Sequence, residues 1–341
     1  MVRNELLVSK LNDNYSFVDT KNGWRFLYRK FQRRVTRSEV DDLLERKGND
    51  YIYNFIITMN ENNKGKYMEN FYSNLKNCKI ADNTILQKLF FNNELFGGSR
   101  ITKRNIYLLL EDKTNQKSLT PYHELLHLLT TIIKDENTVL IGLQYNDFGK
   151  GLNEGYTELL TKRYFSHLTE DNTEIYPSFT WFLDMIEEIV GQERLEDYFF
   201  SCDLNGLIKD LTQYCSEKKA LKLIHYMDEL FDNEEALVNE QKRKKYDAEE
   251  INRHYQTNCQ DRMVIYYIIL SIYKNKQFDL LYNDKITHEE YKKRIDKFKR
   301  KNDEILNTFS KEDIIYRDFF REEQPKKKVR GKKNGTTNNS R

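Results

Sequence analysis

The chain has 341 residues, of which 38% are hydrophobic and 32% charged, and its formal net charge is +2. This length is sufficient for one large domain or two modest ones with a hydrophobic core. The longest apolar run, residues 263–273, is far shorter than the roughly 20 residues that span a bilayer. We therefore expect no membrane partner and, because no secretory signal stands at the start, a cytoplasmic location.

The cysteines exclude two further classes of protein. Four cysteines lie far apart and form no CxxC pair, so neither a disulfide framework nor a zinc ribbon is indicated.

From Arg321 onward there are eight Lys/Arg and two Glu, which gives this end a charge of +6 and leaves the rest of the chain at −4. Residues 323–341 have little apolar surface to bury and are predicted to form a disordered basic tail.

The beginning of the chain predicts mixed α/β structure. Asn22-Gly23 between apolar segments is typical of a β-hairpin. Trp24 and Phe31 also fall at helical spacing, so a helix remains the alternative. Ser38 is a suitable start for a helix, and another helix is predicted over residues 66–77.

The middle of the chain gives clearer signals. The short apolar segment 105–111 predicts a strand. Thr120 as N-cap and Pro121 at the first helical position predict a helix that runs to about Lys134. After a connection with its own apolar patch, a second helix is expected from about Leu152.

Beyond Pro177 the apolar pattern is helical almost throughout. The predicted helices are residues 179–199, 217–231, 234–256, 261–274 and 287–308. We therefore predict an α+β fold that is predominantly helical, with a small sheet before the helix at Thr120 and a helical C-terminal lobe.

The helix at Thr120 contains the motif HELLH, residues 123–127. Positions i and i+4 lie on one face of a helix, so His123 and His127 can both reach one metal ion. Zinc accepts two histidines and a carboxylate and leaves a place for water, and Glu124 stands where it can take a proton from that water. The alternative is an ordinary leucine-rich helix whose buried histidines are held by hydrogen bonds.

The later segment NEGYTE, residues 153–158, supplies candidates for the rest of a metal site. Glu154 follows His127 after 26 intervening residues, enough for the chain to reverse and present a third ligand. Glu158 is one turn further along the same face and can accept a hydrogen bond from the second nitrogen of a ligand histidine. Alternatively, both glutamates belong to a solvated helix face.

HELLH followed by NEGYTE resembles the gluzincin metallopeptidases, the thermolysin-like set with HExxH and a downstream NExx(x)[D/E]. By motif position the resemblance implies a zinc ion held by His123, His127 and Glu154, with Glu124 as general base and Glu158 as partner of a ligand histidine. It also implies a zincin-like core, hydrolysis of peptide or protein substrates, and a strand before the active-site helix that forms the sheet edge.

Peptide hydrolysis by this mechanism requires a further donor that stabilises the tetrahedral oxyanion. The candidates are Tyr145 in the connection between the two helices, Tyr156 beside Glu154, and His225, which Asp228 could orient from one turn away.

Two other functions remain as alternatives. A zinc-holding protein without catalysis would use the same scaffold, but would not need Glu124. A nucleic-acid-associated protein would use the tail and the basic, aromatic segment 25–34. The negative charge of the rest of the chain argues against a nucleic-acid partner, and a solvated helix face explains that segment better.

The resemblance and the element pattern together divide the chain into four regions. They are a mixed N-terminal region (1–100), the catalytic core (101–175), the helical lobe (176–322) and the tail (323–341). The sequence does not predict an oligomeric state.

Overall fold

The structure is a computed structural model that describes residues 15–20, 23–28, 33–36, 50–81, 98–101, 106–109, 118–135, 138–169, 175–241 and 247–322. The predicted helix start at Ser38 and the basic tail lie outside the described residues.

Three strands near the start of the chain form an antiparallel sheet. They are β1 (Tyr15–Thr20), β2 (Gly23–Tyr28) and β3 (Arg33–Thr36), in the order β1-β2-β3. Thr20 pairs with Gly23, so the hairpin predicted from Asn22-Gly23 is confirmed. The alternative helix is wrong, and with it the helical face that was expected to explain the basic residues 25–34.

A second sheet precedes the HELLH helix. It contains β4 (Cys78–Ala81), β5 (Gly98–Ile101) and β6 (Ile106–Leu109) in the order β4-β6-β5. The strand predicted over residues 105–111 is confirmed as β6. However, β6 pairs with a neighbour on each side, parallel to β4 and antiparallel to β5. The expected edge position is therefore wrong, and among the described strands the edges of this sheet are β4 and β5.

Ten helices account for most of the described residues, so the predominantly helical α+β prediction is confirmed. They are α1 (Asp50–Glu61), α2 (Met68–Asn77), α3 (Thr120–Thr130), α4 (Lys150–Phe165), α5 (Pro177–Val190), α6 (Gln192–Ser201), α7 (Leu204–Leu211), α8 (Glu217–Gln241), α9 (Ala248–Tyr282) and α10 (His288–Glu322).

Several predicted helix boundaries are wrong. The helix expected over residues 179–199 is divided at Gly191, which has φ +98°, a backbone conformation that glycine tolerates best. The break expected near residue 232 lies instead after Gln241, and the segment 261–274 belongs to the longer α9. Helices α1 and α7 were not predicted.

The HELLH helix is shorter than predicted because the chain changes to a third sheet at Thr131. Strands β7 (Thr131–Asp135), β8 (Thr138–Ile141) and β9 (Gln144–Tyr145) form this antiparallel sheet. Its first residues are the β-branched Thr131, Ile132 and Ile133, which favour strands. The predicted connection between the two site helices is thus largely strand.

Two asparagines of α2 bind the segment in which helix α3 ends and strand β7 begins. The Asn70 side-chain nitrogen donates to the carbonyls of Leu129 and Thr131, at 2.6 and 2.8 Å. The Asn74 nitrogen donates to the carbonyls of Leu128 and Thr131, both at 2.8 Å. The last carbonyls of α3 therefore have partners although the helix ends inside the protein.

One hydrophobic core extends from α1 to α10 and includes α3 and α4. Leu125 and Leu126 of α3 and Leu152 and Leu160 of α4 are fully buried in it. Both helices that carry the motifs are therefore fixed by packing. Within the described residues, none of the helices is both long and apolar enough to cross a membrane.

A buried ion network joins α4 to the two helices that follow it. Arg163 donates to both carboxylate oxygens of Glu187, at 2.9 and 2.8 Å, and to Glu196 at 3.0 Å. Glu187 also accepts from the Tyr156 hydroxyl, and Glu196 also pairs with Lys64. The two carboxylates are less than one-tenth exposed, so they depend on these donors.

Replacing Arg163 by Met should destabilise the fold by about 3–5 kcal/mol, because it leaves the buried Glu187 carboxylate without a positive partner and Glu196 with Lys64 alone. Lys66→Met is the matched control. Lys66 pairs with Asp197, but both side chains are more than half exposed, at 56% and 59%, and we expect a cost of about 0–1 kcal/mol. Urea unfolding of both variants measures the difference; equal midpoints would contradict the role given to Arg163.

Candidate metal centre

Two buried imidazoles meet on one face of α3. His123 and His127 are four residues apart, and their Nε2 atoms lie 3.0 Å from each other. Both side chains are largely excluded from solvent. The helical spacing thus brings the two nitrogens together as the motif predicts.

Glu154 of α4 completes a group of three. Its Oε2 atom lies 3.1 Å from His123 Nε2 and 3.3 Å from His127 Nε2. One ligand atom from each of the three residues falls within 4.8 Å of the others, a group able to hold a metal ion. The structure therefore brings together the three residues that the sequence selected.

Close packing fixes the position of α4 relative to its neighbours. A Cβ atom at Gly151 would lie 2.5 Å from the carbonyl oxygen of Met227 in α8. At Gly155 it would lie 2.6 Å from Cβ of Phe179 in α5. The glycines on either side of Glu154 therefore allow the close approach of two other helices.

Asp228 anchors the beginning of α4 from α8. Its carboxylate accepts from the backbone N–H groups of Gly149 and Gly151, at 2.8 and 3.0 Å. A negative charge at this end of a helix is favourable. Asp228 was expected to orient His225, but it caps the helix that carries Glu154.

Each histidine has a second polar partner on α4. His123 Nδ1 lies 2.9 Å from Glu158, whose other oxygen accepts from the backbone N–H of Ile175 at 2.9 Å. His127 Nδ1 lies 3.3 Å from the amide nitrogen of Asn153. Asn153 was not among the predicted site residues, although its place directly before Glu154 in NEGYTE was a usable signal.

The carboxylates create a negative potential around the imidazoles. Burial alone would lower the pKa of His123, but hydrogen bonds to Glu154 and Glu158 outweigh it and raise the pKa to about 10. Burial would raise the pKa of Glu154, but the charge of His127 and hydrogen bonds from both histidines hold it well below its usual range. The site thus favours a positive charge between these residues, which a proton or a divalent cation can supply.

Glu124 and Tyr176 stand beside the three-residue group. The charge of Glu124 contributes to the raised pKa of His123, and Glu124 has no hydrogen-bond or ion-pair partner in the part of the chain that the structure describes. The Tyr176 ring centroid lies 6.1 Å from that of His123. Burial, followed by the charges of Glu154 and Glu124, raises the pKa of Tyr176, so its hydroxyl keeps its proton at neutral pH.

The three residues proposed from the sequence as further donors have other environments. Tyr145 is 48% exposed in β9. Tyr156 is fully buried, and its hydroxyl donates to Glu187 at 2.7 Å on another side of α4. His225 is 65% exposed and lies 3.3 Å from Glu229. No hydrogen bond, ion pair or ring contact joins them to the histidine pair within the described residues, whereas the Tyr176 ring lies beside His123.

Comparison of the chain with protein-family models, with curated proteins and with solved structures gave no match.

Proposed function

We propose that this protein is a zinc-dependent peptidase of the gluzincin kind, with a zincin-like core around α3 and α4. The convergence of His123 Nε2, His127 Nε2 and Glu154 Oε2 carries the proposal. Ligand atoms around a tetrahedral zinc at about 2.0–2.1 Å are roughly 3.3 Å apart. The three separations here are 3.0, 3.1 and 3.3 Å. Two neutral imidazoles and one carboxylate are also the donor types that zinc prefers.

The residues that lie next to Nδ1 of the two histidines differ in how well they suit a metal-bound imidazole. A histidine that binds through Nε2 carries its proton on Nδ1 and needs an acceptor there. Glu158 is such an acceptor for His123. For His127 the Asn153 oxygen would have to face Nδ1, whereas it now accepts from the backbone N–H of Leu143 at 3.3 Å.

The chain supplies the proton transfers of the proposed reaction. Bound zinc would lower the pKa of a water molecule to about 7 and polarise the substrate carbonyl. Glu124, which is half-buried beside His123, accepts the proton of the attacking water and delivers it to the leaving amine. The protonated hydroxyl of Tyr176 donates a hydrogen bond to the oxyanion that forms.

The first test is metal content together with peptide hydrolysis. Purified protein supplied with zinc should bind about one ion per chain and cleave casein or members of a peptide library. Removal of the metal by a chelator should stop cleavage. Failure to retain zinc would contradict the proposal, whereas zinc without cleavage of any substrate would assign the protein to the zinc-binding, non-catalytic alternative.

Replacing Glu154 by Gln should weaken zinc binding by more than about 100-fold, because the charged ligand oxygen is lost while the side-chain volume is kept. Glu193→Gln, on the exposed side of α6, is the control and should bind zinc like the unchanged protein. Competition with a chromogenic chelator measures both affinities. Equal affinities would exclude Glu154 as a ligand.

A further inference from the structure

A cavity lies between α5, α9 and α10. Its volume is about 490 Å³, which is within the range of small-molecule sites. None of the three candidate metal ligands lines it. On the apolar side are Phe298 and Tyr273, whose stacked ring centroids lie 3.9 Å apart.

Positive side chains dominate the wall of this cavity. Lys276, Arg294, Lys297 and Lys301 line it, with Glu188 as the single carboxylate in the wall. Lys301 is already balanced, because its Nζ lies 3.2 Å from Glu188 and also pairs with a second carboxylate. The other three cations have no carboxylate within ion-pair distance among the described residues.

Two of these cations are held in place by neutral groups. Lys276 Nζ donates to the backbone carbonyls of Glu188 and Ile189, at 3.0 and 2.7 Å, at the end of α5. Arg294 donates to the Gln277 side-chain oxygen at 3.3 Å. Burial and then the charge of Arg294 lower the pKa of Lys276, which is consistent with uncompensated positive charge.

The amide of Gln277 provides a second, independent observation. This wall residue is only 3% exposed. Because Arg294 is purely a donor, the Gln277 oxygen faces it and the amide nitrogen is left to bond elsewhere. That nitrogen has no acceptor in the part of the chain that the structure describes. A buried N–H group without an acceptor is costly, and a ligand oxygen would satisfy it.

We propose that this cavity binds a small organic phosphate, a monoester whose phosphate group contacts Arg294, Lys297 and the Gln277 amide. The wall offers several donors and more than one uncompensated positive charge, which suits a dianion with several acceptor oxygens. The apolar surface of Phe298 and Tyr273 would contact the organic part of the ligand. This site is independent of the proposed peptidase activity.

Isothermal titration of the full chain tests this proposal with adenosine monophosphate, inorganic phosphate and adenosine as probes. We expect the monophosphate to bind with one site per chain, phosphate to bind more weakly, and adenosine not to bind. Equal binding of both anions would still support the site, with the phosphate group as the recognised part. No saturable binding of either anion at millimolar concentration would overturn the proposal.

Matched variants on α10 separate this site from general surface charge. Arg294→Gln should weaken binding by at least about tenfold, since a charge-assisted hydrogen bond is lost. Arg300→Gln removes the same charge from a position that is exposed like Arg294 but does not line the cavity, and it should change affinity by less than about twofold. Equal losses in both would overturn the proposal. Gln277→Met, with folding checked by circular dichroism, should also weaken binding although every charge remains.

Discussion

Replacing Glu124 by Gln should lower the rate of peptide hydrolysis by about 10²–10⁴-fold, the usual contribution of a general base, while zinc stays bound. The amide keeps the shape of the side chain but cannot accept the proton of the attacking water. Glu124 follows His123 directly and has no bonding partner among the described residues, so its carboxylate is available for this step. Steady-state kinetics should show the loss in kcat, with the zinc content unchanged.

Glu235→Gln is the sharper control for this result. Glu235 lies on α8 close enough for the charge of Glu154 to raise its pKa, after the larger effect of burial. Its replacement removes one negative charge from the same neighbourhood without touching HELLH. We expect less than about a tenfold change in rate. If both variants lose activity equally, the effect is one of local charge, and Glu124 is not the base.

The residue pairs of the candidate site that lie within one helix were predictable because their members are only four positions apart in the sequence. His123 and His127 share a helix face through the fixed geometry of one turn, and the same rule places Glu158 next to Glu154. Glycines at 151 and 155 also gave a local signal, since a helix that lacks side chains there can approach its neighbours closely. Their convergence with the histidines still required the tertiary fold.

The outer part of the site, Tyr176 and Asp228, was not predictable because its contacts join residues that are far apart in the sequence. Tyr176 follows Glu154 by 22 residues and reaches His123 only because α5 begins beside α3 and α4. Asp228 caps α4 from a helix 77 residues beyond Gly151. Neither contact leaves a periodic signal, so proximity in sequence favoured Tyr145 and Tyr156 and did not indicate Tyr176.

The errors in the predicted fold occur where the local sequence is compatible with more than one secondary structure. The apolar periodicity of α3 continues into Thr131, Ile132 and Ile133, which is why a helix to Lys134 was predicted. β-branched residues favour strands but are tolerated in helices, and hydrogen bonds from Asn70 and the neighbouring Asn74 to the Thr131 carbonyl stabilise the strand start. Gly191 similarly divides one predicted helix into two.

Replacing Tyr176 by Phe should lower kcat by about 10²–10³-fold, the usual cost of losing one oxyanion donor. The ring packs against Phe179 and Phe231, with centroids 6.3 and 5.6 Å away, and Phe preserves these contacts. Only the hydroxyl is removed. Because that hydroxyl acts on the transition state, KM and zinc content should change little.

Tyr145→Phe is the control for the Tyr176→Phe variant. Tyr145 was the first candidate from the sequence, and its exposed position on β9 predicts less than about a twofold change in rate. A loss at Tyr145 with none at Tyr176 would mean that β9 moves over the site when substrate binds, and that the donor is recruited rather than built in. The reverse result would mean that packing at the start of α5 holds the donor ready beside the metal ligands, so the loss in Tyr176→Phe should not depend on the length of the peptide substrate.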